Sequence, residues 1–269
     1  ANSYEELLLE VDAVYLLSHP TKHYEQAKKA LESGKNVLCE APIALKSDQL
    51  IELEGMAKEK GLILMNGIKT AYATAYYRLL LLVKSGRIGK PVSVETTCTS
   101  MRFFNPDDLV LMETDWNSIC SWGPVALLPV FQILGTEYKD CDIITSFVNK
   151  EKMYDKFTKI NFLFKDAVAT VKVGKGIKSE GEMVIAGTKG YVYVPAPWWK
   201  TEYFEIRYEN QTDNKKFFYQ LDGEGLRYEI VSFVRSVNEG IKRSYIDENV
   251  AHSICEVIEN FYNLKLTEI

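Results

Sequence analysis

No Cys-x-x-Cys pair occurs in this chain of 269 residues, and its five cysteines (Cys39, Cys98, Cys120, Cys141 and Cys255) are scattered singly. An odd, unpatterned set without secretory context argues against a disulfide framework and for reduced thiols in the cytoplasm. No spacing of His, Cys, Asp or Glu suggests a metal site. A basic stripe is also missing: Lys and Arg are interspersed with Asp and Glu, the formal net charge is −5, and nothing favours nucleic acid as a partner. Apolar runs are short. The longest, Leu79 to Val83, is too short to span a bilayer and Tyr76 to Val83 fits a buried helix face, so no membrane partner is expected. The opening ANSYEELLLE has no Met, no basic n-region and no apolar h-region, and reads as a chain entered part-way rather than as a signal peptide or a native start. Internal repeats, low-complexity segments and long linkers are lacking as well.

What is present is the composition of a protein large enough for two cores, 46% hydrophobic and 26% charged. The segment Val11 to Pro42, VDAVYLLSHPTKHYEQAKKALESGKNVLCEAP, reads as one βαβ unit. Apolar Val11 to Leu17 is a buried parallel strand, His23 to Ser33 a helix closed by Gly34, and Asn36 to Glu40 the next strand. Ser47 then opens a helix as N-cap, Leu50, Ile51, Leu53 and Met56 form its stripe, and Gly61 ends it. Leu62 to Met65 is a third strand, and a helix from about Tyr72 stops at Gly86. From Pro91 onward the apolar period falls to two, as in Ile160, Phe162, Phe164 and again Ala169, Val171, Val173, which means antiparallel strands with one covered face. Turns at Gly187 to Gly190 and Asn210 to Asn214 fit hairpins. Helical stripes run over Val125 to Leu134, Leu226 to Val237 and Val250 to Leu264. The expected fold class is α/β plus α+β: an incomplete doubly wound, Rossmann-like parallel sheet over residues 1–90, then an open antiparallel sheet domain with helices over 91–269.

In open α/β sheets ligands sit outside the carboxyl ends of the strands, which places Ser18, His19, Glu40 and Ala41 along the crevice. His19 is either a titratable group there or a loop residue fixing a turn, and His23 reads as a capping or packing residue. Lys69, at the end of the third strand, is either a surface lysine or a cationic donor to a substrate hydroxyl. Trp198 and Trp199, after Pro195-Ala196-Pro197, could stack on a sugar ring, or serve packing or a subunit contact. Pro42 is a candidate for a cis bond.

These segments, with LILMNGIKTAY, SGRIGKPVSVE, LLPVFQILG and AGTKGYVYV in the same order, resemble the glucose–fructose oxidoreductase, inositol dehydrogenase and rhizopine-catabolism (Gfo/Idh/MocA) family. The resemblance implies NAD or NADP as cofactor and a sugar or polyol as substrate, with a homo-oligomer formed through the carboxyl-terminal sheet. Cofactor contacts would come from Ser18, His19 and Glu40, and substrate contacts from Lys69, Trp198 and Trp199, with Lys69 and His19 as the catalytic candidates. It also implies a preceding strand, glycine-rich turn and helix to hold the pyrophosphate, for which nothing here corresponds; a βαβ unit suggests roughly 60 residues ahead of Ser3. The family's strand ends in Glu-Lys-Pro where this chain has Glu40-Ala41-Pro42, and its catalytic Asp and His or Tyr fall at Ser121 and Val125. A slip near Cys120 would bring Asp115 in as the nearest carboxylate. Two functional expectations follow: an NAD(P)-dependent sugar or polyol oxidoreductase that is inactive or incomplete as this chain, or a non-catalytic pseudoenzyme relative serving carbohydrate binding or oligomerisation.

Overall fold

Alternate apolar residues in the first strands point to opposite sides, and both sides are covered. In the computed structural model, which describes residues 1–105 and 107–269, helix α1 (Tyr4–Glu10) leads into β1 (Ala13–Leu16), α2 (Pro20–Glu32), β2 (Asn36–Glu40), α3 (Ser47–Glu59) and β3 (Leu64–Gly67). The strands form a parallel sheet in the order β1-β2-β3, with Ala13 opposite Asn36 and Val37 opposite Leu64. Val14, Leu16, Val37, Cys39 and Leu64 share one core with Ala27, Leu31, Leu50 and Leu53 of α2 and α3. Leu38 and Met65 belong to a second, larger core. Helix α2 begins earlier than expected, at Pro20, because a proline in the first turn leaves no N–H unpaired and His19 caps it. Ser47 is the first residue of α3 rather than its cap; its N–H and hydroxyl both donate to Glu259.

A 3₁₀ turn (Lys69–Tyr72) and α4 (Thr74–Lys84) lead to the second sheet. The chain continues through β4 (Pro91–Thr99), α5 (Leu109–Thr114), α6 (Ser118–Leu134), β5 (Asp140–Asn149), β6 (Tyr154–Leu163) and β7 (Val168–Gly174). Then follow β8 (Met183–Gly187), β9 (Tyr191–Val194), β10 (Tyr203–Arg207), β11 (Lys215–Phe218), α7 (Leu226–Glu239), α8 (Glu248–Tyr262) and β12 (Thr267–Glu268). Their order is β11-β10-β9-β8-β4-β7-β6-β5-β12. Most neighbours are antiparallel, including the expected hairpins β8–β9 and β10–β11, whereas β4–β7 and β5–β12 are parallel. A period of two reports which face is covered and not which way a neighbour runs.

Helix α6 starts at Ser118, well before the expected Val125, and carries Pro124 and Pro129 within it. Its first turn is held by Asn117, which accepts from Cys120 N–H, and by buried Asp155, which accepts from Ile119 N–H. Residues Leu109–Leu134 form the one stretch among those described that is long and apolar enough to cross a membrane. It is split between α5 and α6 and its apolar window is 67% buried, as befits a core helix. Helices α7 and α8 return to the small sheet: Cys255 of α8 joins the core under α3, and the Ser236 hydroxyl of α7 meets the Met65 sulfur on the other face.

Candidate functional site

The carboxyl ends of β1 to β3 face the second sheet, and the polar side chains there sort into two groups. At the β2 end, Glu40 accepts a 2.7 Å hydrogen bond from the Tyr15 hydroxyl, which also lies 3.5 Å from Glu229 of α7. A phenol has one proton. With that proton on Glu40, the Glu229 contact runs the other way, from a protonated Glu229 to the Tyr15 oxygen. The environment agrees: burial, then the Glu40 charge, push the Glu229 carboxyl up to about 8, against smaller opposing effects of Tyr15 and Lys69. Glu229 therefore keeps its proton at neutral pH. Burial also raises Glu40, but Tyr15 and the Lys69 ammonium oppose it. The second Glu229 oxygen is buried with no partner among the described residues.

Lys69 sits beside this pair in the 3₁₀ turn and bonds Glu224 at 3.2 Å, a carboxylate it shares with Lys200. The next residue ties the turn to the second sheet, because the Thr70 hydroxyl donates to the Trp199 carbonyl at 2.8 Å. Trp199 and Trp122 of α6 are both half-buried with ring centroids 5.0 Å apart, and the Trp122 indole N–H has no partner among the described residues. Lys69 thus lies near enough to Glu40 to act on its charge, and the turn that carries Lys69 is tied through Thr70 to the Trp199 backbone. Ala41 lies at the same strand end, 6% exposed, and the Ala41-Pro42 bond is cis. Ser121 and Val125 follow on α6, both half-buried, with the Ser121 hydroxyl donating to Trp116 O at 3.3 Å.

His19 belongs to the other group. Its ring caps α2 through Thr21 and faces a cavity of about 70 Å³ lined with Asp115, Cys120, Tyr154 and Tyr262. A space that size holds about two waters and no sugar. Burial lowers the His19 imidazole, so it is neutral at physiological pH. Asp115, the carboxylate expected only if the alignment slipped, binds the Tyr154 hydroxyl at 2.8 Å and the Lys175 ammonium at 2.5 Å. Burial alone would raise Asp115, but these two partners hold it below the usual carboxylate range. The cluster is internally satisfied and separate from Lys69.

One expectation needs correction. Trp198 is not available for substrate: it is 0% exposed, and its indole N–H donates to Thr97 O at 3.1 Å. Ser18 is half-buried, with its hydroxyl donating to Gln26 at 2.5 Å and its carbonyl accepting from His23. His23 is the packing residue expected, buried and bonded at its other nitrogen to Pro42 O.

The starts of α2 and α3, the helices that follow β1 and β2, do not fit the pyrophosphate of a dinucleotide. Anions are held at helix N-termini whose N–H groups are free. Here Pro20 and the His19 ring close the start of α2, and the Glu259 carboxylate already occupies the start of α3. Among the described residues no three His, Cys, Asp or Glu side chains group to hold a metal ion.

Residues 1–68 match the oxidoreductase family with an NAD-binding Rossmann fold, Gfo/Idh/MocA. Over those residues the chain is similar to the Gfo/Idh/MocA family. Similar proteins include the 1,5-anhydro-D-fructose reductase of Ensifer adhaerens, 36% identical over 34% of this chain and 28% of that protein. The D-xylose 1-dehydrogenase (NADP(+)) of Hypocrea jecorina is 37% identical over 32% of this chain and 23% of its own length. The chain thus aligns with only about a quarter of these Gfo/Idh/MocA relatives. Over 91% of the chain and 76% of the relative, it is 21% identical to a trans-1,2-dihydrobenzene-1,2-diol dehydrogenase of Xenopus tropicalis. In fold it is similar to a 3-ketoreductase from Actinomadura kijaniata solved with NADP and TDP-benzene, with a TM-score of 0.85 at 17% identity, covering 100% of this chain and 83% of that one.

Reasoning from sequence missed Tyr15, Trp122, Lys200, Glu224 and Glu229. Glu229 was legible, because it falls between Leu226 and Phe233 on the apolar stripe of its helix, where a carboxylate must be neutralised or paired.

Proposed function

We propose that this chain binds a sugar or polyol in the crevice between the sheets and does not oxidise it. The observation that carries the reading is the contrast at the end of β2. Glu40 and Lys69 offer an acceptor and a cationic donor to vicinal hydroxyls, while the adjacent family lysine position holds the buried Ala41 methyl. The ring faces of Trp199 and Trp122 suit the C–H face of a sugar, and the orphan Trp122 N–H would gain a partner from a hydroxyl seated there. No side chain at Ala41, Ser121 or Val125 can take a hydroxyl proton at neutral pH, and Glu229 still holds its own. A dinucleotide is bound weakly, because the starts of α2 and α3, the helices that follow β1 and β2, are already occupied by the protein's own groups.

Calorimetric titration tests this reading. D-xylose, D-glucose and myo-inositol should include at least one saturating ligand, with Lys69→Ala and Trp199→Ala each weakening it about tenfold, the size of one charged hydrogen bond or one ring contact. Titration with NADH and NADPH should show no micromolar binding. Polyol affinity unchanged in both variants, or micromolar dinucleotide binding, would count against the proposal.

The second reading, an oligomerisation module, draws on the open face of the large sheet, where Arg207 lies over the rings of Tyr191 and Tyr193. A monomer in sedimentation would remove it. The five free thiols, four of them buried, favour a reducing cytoplasmic compartment, and recovery from a secreted fraction would contradict that.

A further inference from the structure

The face of α7 opposite Glu229 differs from the rest of this acidic chain. Arg227, Val231 and Arg235 recur at intervals of four, which puts them on one face with the two arginines about 12 Å apart along the axis. They line a groove of about 830 Å³ between α7, α4 and the loop 240–247, into which Lys242 and Arg243 also project. Four cations there face one lining carboxylate, Asp222. Arg227 pairs with Asp222 at 3.6 Å, Lys242 with Glu248 at 3.3 Å and Arg243 with Glu239, whereas Arg235 has no ion-pair partner among the described residues.

The groove also has an aromatic wall. The Tyr245 ring is stacked between Tyr72, at 5.3 Å and 26°, and Tyr77, at 4.9 Å and 16°. Tyr77 ends that stack and is 41% exposed. The loop carrying Lys242, Arg243 and Tyr245 is fixed by its own hydrogen bonds. Arg243 N–H donates to Ser236 at 2.9 Å, Arg243 O accepts from Ser232 at 2.6 Å, and Tyr245 O accepts from Gln132 at 2.9 Å. A preformed cavity of this size, with one flat aromatic wall and an unpaired guanidinium, suits a ligand combining a flat ring with adjacent anionic groups.

We propose that this groove binds a nucleoside diphosphate, its base against the Tyr77 ring and its phosphates between Arg235 and the Lys242–Arg243 loop. The site is separate from the crevice and does not depend on the polyol reading. The probe is ADP, titrated calorimetrically into the whole chain beside adenosine and inorganic pyrophosphate. ADP should bind with a dissociation constant of about tens of micromolar, and each fragment at least about tenfold more weakly. Arg235→Gln and Tyr77→Leu should each weaken ADP about tenfold without lowering the unfolding temperature, while Glu40→Gln and Lys69→Ala leave it unchanged. Three results would overturn the proposal: no ADP saturation below millimolar, pyrophosphate binding as tightly as ADP, or sensitivity to the crevice variants in place of the groove variants.

Discussion

Replacing Glu229 with Gln should raise the stability of this protein by roughly 3 kcal/mol at about pH 8.5 and leave it nearly unchanged at about pH 4. The carboxyl sits near 8 in the folded protein against an ordinary 4.5. Below the lower value both folded and unfolded chains are protonated, and the full stability is present. Between the two the unfolded chain releases its proton while the folded chain holds it, so stability falls as pH rises, by about 1.4 kcal/mol per unit. Above the folded value the loss levels off. The whole interval of 8 − 4.5 corresponds to about 5 kcal/mol, and the smaller figure allows for a buried amide whose second N–H lacks a partner. Chemical denaturation of both proteins across this range is the check. Parallel pH profiles would mean that Glu229 is ionised in the fold and that the Tyr15 hydrogen bonds are assigned in the wrong direction.

Trp198→Ala should cost about 3–5 kcal/mol of stability, the usual range for deleting a large aromatic side chain from a core. Its ring is wholly enclosed, and the variant also leaves Thr97 O without its indole donor. Any polyol affinity measured on the folded variant should be unchanged. The neighbouring Trp199→Ala should behave in the opposite sense, with a small stability loss and weaker binding, because its half-buried ring lies against Trp122 and contributes less to the core. Denaturant midpoints and titrations on the two variants separate these roles, and a Trp198→Ala protein of ordinary stability would show that the enclosure is misread.

The same pair of tryptophans shows how far the sequence could be read. Pro195-Ala196-Pro197 announced a rigid segment, but which ring points inward depends on where β8 and β4 lie, and that is a property of the assembled sheet. The small parallel sheet was legible because buried parallel strands are short continuous apolar runs bounded by helix caps, as at Asn36–Glu40. The parallel pairing of β4 with β7 was not, since alternation is blind to direction. At the site, Glu40 and Lys69 could be placed by their positions at strand ends. His19 could not, because its direction is set by the cap it makes with Thr21 and by the approach of the Asp115 segment, far away in sequence. Tyr15 looked like any aromatic strand residue until α7 brought Glu229 beside it.

The central claim is that the crevice holds a polyhydroxylated ligand without transforming it. Its most direct test is formation of reduced nicotinamide by the wild-type and Ala41→Lys chains, each with NAD⁺ and NADP⁺, over a panel of sugars and polyols. A missing positioned base costs about 10²–10⁴ in rate, and restoring Lys at Ala41 leaves Ser121 and Val125 unable to relay a proton. The account predicts no rate above the protein-free control for either chain. Clear turnover by the wild-type chain would contradict it.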